Sequence, residues 1–172
     1  GNLSVDGGTI KLDGNYPVGG ENVALGNDAL VDGSLTGGTN TAIGSQALKN
    51  NTSGAQNTGI GRSALRENET GSANTSIGYN SLLNNTASNN TAVGYQALTN
   101  TSTGEVNSGF GALSLYTNTT GFGNTAVGKN SLYTNNGNNN TAVGHEALEL
   151  NASGDNNVAV GREALENNTA SN

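Results

Sequence analysis

The sequence predicts a mainly β protein, a parallel β-solenoid or β-roll of about nine coils of about 17 residues. Three observations carry this expectation. One nine-residue frame recurs nine times, as in NTAIGSQAL from Asn40, NTAVGYQAL from Asn90 and NVAVGREAL from Asn157. Its glycines, from Gly26 and Gly44 to Gly144 and Gly161, stand 16 to 18 residues apart. The residues before each glycine alternate with period two, which marks a strand. The period is too short for the common helical-hairpin repeats and fits one coil of a solenoid. Composition agrees. Gly, Asn, Thr and Ser make up 93 of the 172 residues and hydrophobic residues only 32%, so an ordinary compact core is excluded. Disordered low-complexity sequence does not hold register over nine periods.

In chain order, residues 1–20 are expected to form a lead-in β segment and residues 21–172 the repeat solenoid. Each coil opens on Asn, in nine copies of nine. Asn tolerates left-handed backbone, and its amide both donates and accepts, so a turn and a coil-to-coil ladder are both open. The strand follows. In Thr41-Ala42-Ile43-Gly44, Ile43 shares one face with Thr41, while Ala42 and Gly44 share the other. The invariant glycine implies positive φ or close backbone approach. Ser45-Gln46-Ala47-Leu48 and its equivalents favour helix over strand, which gives one helical turn or a tight corner. The leucine folds back beside the Ile or Val, and a polar connector such as NNTSGAQ closes the coil.

Two buried columns are expected: Leu25, Ile43, Ile60, Ile77, Val93, Phe110, Val127, Val143 and Val160, and the leucines from Leu30 and Leu48 to Leu165. Two large apolar side chains per coil make a thin core, so a second packing surface is needed. The slot of Ala42, Gly59, Ser76 and Ala92 never holds a large side chain. A second chain is expected against it, with the same chain's returning connector as the alternative.

Other functions are excluded by count. With no Cys and one His, no disulfide, thiolate metal site or histidine-rich site is expected, and no cofactor is implied. A net charge of −7 with six Lys and Arg argues against a nucleic-acid partner. No apolar run approaches the roughly 20 residues of a membrane span, so membrane insertion is not expected. The chain opens on Gly1 and contains no Met, which suggests a piece of a longer protein.

Candidate chemistry is sparse. His145 occupies the slot after the glycine, where Asn27, Arg62, Tyr79 and Lys129 stand elsewhere, so the slot reads as exposed. Glu146 and Glu163 share a slot in adjacent coils, as do Glu149 and Glu166. Stacking brings such pairs near the ~5–5.5 Å carboxyl separation of retaining glycosidases. They alternate with Asn and Ser, however, and Arg162 can pair with Glu166, so the expectation is no enzyme. Tyr79 with Tyr95, and Tyr116 with Tyr133, should stack on adjacent coils and could contact a glycan ring. The Thr column raises ice binding as a rival, but only one column is regular, and Val23 and Val158 interrupt it.

NTAVGYQAL with NTSTG and NTTG connectors resembles the repeats of bacteriophage tail-fibre proteins, notably those of phages of marine cyanobacteria. The lead-in GNLSVDGGTIKLDGNYPVG resembles the segment before such repeats, and the coil is similar to the head repeats of trimeric autotransporter adhesins. The resemblance implies a homotrimeric fibre segment on the virion, displaying or contributing to host-surface receptor binding. Host cell-surface polysaccharide would be the outside partner. Two alternatives stay open: a bacterial cell-surface adhesin that binds glycans along its side, and a polysaccharide-degrading tailspike.

Overall fold

A computed structural model describes residues 21–31, 35–168 and 170. The expected lead-in at 1–20 lies outside them. The described residues are all β, with no helix. Nine three-residue strands form one sheet: β1 (Val23–Leu25), β2 (Thr41–Ile43), β3 (Thr58–Ile60), β4 (Thr75–Ile77), β5 (Thr91–Val93), β6 (Ser108–Phe110), β7 (Thr125–Val127), β9 (Thr141–Val143) and β11 (Val158–Val160). Every neighbour pair in it is parallel. The chain is thus a β-solenoid of about eight turns. A second parallel pair, β8 (Thr134–Asn135) and β10 (Leu150–Asn151), stands where the corner meets the connector.

Register converts frame positions into columns. Thr41 pairs with Thr58, Ala42 with Gly59 and Ile43 with Ile60. The main chain also ladders outside the strands: Leu48 N–H donates to Ala64 O at 2.9 Å and Gln56 N–H to Gly38 O at 3.0 Å.

The corner is tight, and the alternative of a helical turn is not realised. Gln96 and Leu98 both have a φ of 53°, and the equivalent residues of the other coils are likewise left-handed. Two such residues in four break the run of right-handed dihedrals that a helix needs. Left-handed backbone costs a leucine roughly 1–2 kcal/mol. Full burial of its side chain offsets this by about 1.5–3 kcal/mol.

The core differs from expectation in which face is inside. The leucine column is fully buried from Leu30 to Leu148, while Leu165 in the last described coil is half exposed. The second expected column lies outside. Ile77, Phe110, Val127, Val143 and Val160 are exposed, and Ile43, Ile60 and Val93 half-buried. The small residues take the interior, with Ala42, Ser76, Ala92, Ala126 and Ala142 completely buried. The reason is volume. A methyl group on Gly109 would lie 3.0 Å from Leu98 Cδ1 of the preceding coil and 2.9 Å from Ser114 Oγ of its own corner. The neighbour that keeps the slot small is therefore the chain itself, and no second chain packs there. Where Ser76 replaces Ala, its hydroxyl donates to Ser81 O at 2.8 Å and touches the Ser81 hydroxyl.

The asparagines form two buried ladders. The frame Asn accepts the N–H of the next frame Asn, as when Asn57 N–H donates to Asn40 Oδ1 at 2.9 Å. Its own amide donates to the connector carbonyl, Asn40 Nδ2 to Gly54 O at 2.9 Å. A second column, Asn51, Asn68, Asn85, Asn118, Asn135 and Asn151, donates to that same carbonyl from the other side, as Asn51 Nδ2 does to Gly54 O at 2.9 Å. Turn and ladder are thus both present, which is how a narrow polar interior satisfies its backbone. At Gly94 a side chain would sit 2.5 Å from Gly111 O, and φ is 145°, so close approach and backbone conformation both require glycine there.

Candidate binding surface

The exposed side of the sheet carries two columns. Thr41, Thr58, Thr75, Thr91, Ser108, Thr125 and Thr141 form one, and the Ile, Val and Phe residues form the other. The alternation was legible, but inside and outside were exchanged. The small slot was the signal, but it belongs to the chain's own interior instead of a second chain: a corner leucine in every coil already fills that narrow space and leaves room only for Ala, Gly or Ser.

The corner opens with the row of residues that follow the glycines. Tyr79 and Tyr95 stack with centroids 5.5 Å apart and planes 9° apart, and Arg62 lies over the Tyr79 ring at 5.8 Å. Tyr79 and Tyr95 are exposed. Tyr116 and Tyr133 stack at 5.2 Å and are half-buried. All four tyrosines therefore pair as the sequence indicates. Tyr79–Tyr95 presents more of its surface.

Five of the ten described Asp and Glu residues, Glu146, Glu149, Asp155, Glu163 and Glu166, fall in the last two described coils. Nδ1 of His145 lies 3.1 Å from Glu146 Oε2, without the alignment of a hydrogen bond. Arg162 pairs with Glu163 at 2.6 Å, instead of the expected Glu166, because the tight corner abolishes helical i,i+4 spacing. Glu149 has its carboxyl raised above its ordinary value, first by burial and then by the charges of Glu146 and Glu166. A hydrogen bond from Asn130 Nδ2 at 3.3 Å opposes this. Among the described residues no group of three or more His, Asp and Glu could hold a metal ion, and no helix is long and apolar enough to cross a membrane.

The chain matches no protein-family description, no curated protein and no solved structure.

Proposed function

We propose that this chain is a structural fibre segment of a phage tail fibre, working as a homotrimer on the virion, where it displays or contributes to a host-binding surface. The observation that supports it is the uncovered outer face of the nine-stranded sheet. Parallel sheets ordinarily have both faces covered. Here one face packs on the leucine column, while the other leaves Ile77, Phe110, Val127 and Val143 in solvent. A contiguous apolar strip of this kind marks an interaction surface. Its occupant must repeat at the pitch of the coils, and a second copy of the same sheet does so. Closed rotational symmetry keeps such an assembly finite across the axis. The number three rests on the resemblance to trimeric fibre repeats. A cell-surface adhesin of the same build is the second reading, and the stacked tyrosines favour it. No constellation among the described residues favours the polysaccharide-degrading tailspike.

Sedimentation equilibrium tests the assembly. The expected mass is three times 17.1 kDa. Ile77→Glu with Val127→Glu should give a folded monomer, because both side chains lie outside the coil. A folded wild-type monomer at micromolar concentration would remove the proposal.

A further inference from the structure

Arg62, Tyr79, Tyr95, Ala112 and Lys129 hold the same corner position in five successive coils. The main chain fixes their order. Gln96 N–H donates to Tyr79 O at 2.9 Å, Leu113 N–H to Tyr95 O at 2.9 Å and Asn130 N–H to Ala112 O at 3.1 Å. Arg62 covers one face of the Tyr79 ring and Tyr95 the other. The second face of Tyr95 is turned to the next coil, where the row holds only the methyl group of Ala112. Tyr95 is accordingly the more exposed of the pair, 53% against 40%.

The row therefore has a gap one coil high. Tyr95 is one wall and Lys129 the other. Ala112 and Leu113, both half-buried, form the floor, and Gln96 stands beside Leu113 in the preceding coil, while the Asn130 amide on the other side is held by Glu149. The walls stand two coils apart, about 9.5 Å at the strand repeat. A ring seated midway would lie about 5 Å from each wall. That is close to the 5.5 Å already observed between Tyr79 and Tyr95. Lys129 is exposed and makes no ion pair among the described residues, so its charge is available.

We propose that this gap binds a single pyranose ring carrying a carboxylate or sulfate. The C–H face of the sugar lies on Tyr95, its anionic substituent pairs with Lys129, and a hydroxyl meets the amide of Gln96. A neutral apolar ring would leave the Lys129 ammonium and the Gln96 amide unmatched, so the acidic sugar is the better fit. The site is independent of the fibre assembly, because the corner row and the sheet face are different surfaces of the coil.

The test is titration of the full chain with methyl glucuronide, a sulfated methyl glucoside and plain methyl glucoside, read from the tyrosine ring resonances. Five tyrosines make that spectrum assignable. The expected result is a shift at Tyr95 with either acidic sugar, and binding at least tenfold weaker with the neutral one. Ala112→Tyr fills the gap with a residue that the neighbouring coils already carry at this position, and it should abolish binding while leaving the fold intact. Lys129→Gln should remove the preference for the acidic sugars. Unchanged binding in Ala112→Tyr, or no Tyr95 shift with any of the three sugars, would overturn the proposal. A shift that sodium acetate reproduces equally would mean ion binding alone and would overturn it too.

Discussion

The side-chain oxygen of Asn57 accepts the main-chain N–H of Asn74 at 3.0 Å, one coil further along, while its own amide donates to Gly71 O at 2.8 Å. One residue thus joins a strand start to the next coil and to the connector. Asn57→Ala leaves the buried Asn74 N–H without a partner. It should lower unfolding free energy by about 2–4 kcal/mol in a denaturant titration. The same change at exposed Asn84 should stay within about 0.5 kcal/mol.

Thr101 stands where the second ladder has Asn85 before it and Asn118 after it, and its buried hydroxyl oxygen has no hydrogen-bond partner. Thr101→Asn should restore the ladder and stabilise the chain by about 1 kcal/mol. Thermal melting checks the sign. A lowered midpoint would show that this coil has adapted around threonine.

Gly109 and Ser114 face each other inside one coil, where Ala42 and Ala47, or Ala92 and Ala97, meet in others. Gly109→Ala should overpack the interior at a cost of about 1–3 kcal/mol. Adding Ser114→Ala should recover most of that loss, because it recreates the pairing of the other coils. A double-mutant cycle measures the coupling. Strict additivity would contradict the shared cavity.

Glu149 sits beside Glu146 and Glu166, with its carboxyl raised above its ordinary value mainly by burial. A carboxyl raised on folding favours the folded state below its unfolded pKa of about 4.3. That contribution is lost as pH rises through the folded pKa. Glu149→Gln should therefore raise the melting temperature at neutral pH. The gain should vanish once the solution is acid enough to protonate the wild-type residue. Differential scanning calorimetry across pH 3–7 checks this, and a gain that persists at the acid end would point to packing instead of charge.

The solenoid was legible because the frame is both periodic and alternating. Strand positions and the buried leucine column followed directly. The direction of the strand pleat did not. Ile43 outranks Ala42 in hydrophobicity, and only the interior volume, already occupied by Leu48, reverses their order. The corner was half legible: Ser45-Gln46-Ala47-Leu48 prefers helix locally, and the left-handed φ of 51° at Leu48 is imposed by closure of the coil. The tyrosine pairs were visible from the period alone. The gap beside Tyr95 needed the register of three successive coils.

The connector has a consequence for heredity. Thr75 pairs with Thr91 across a 16-residue coil, and Val23 with Thr41 across one of 18, with no break in the sheet. The shorter coil saves its residue between Asn85 and Ala87, whose carbonyl still accepts both Asn74 and Asn85 at 2.8 Å. Since each coil engages only its two neighbours, unequal recombination between repeats can insert or remove a whole coil and leave every surviving bond in place. The rod is a ruler graduated in steps of about 4.8 Å, and a lineage can change its reach by copy number, without inventing a new residue.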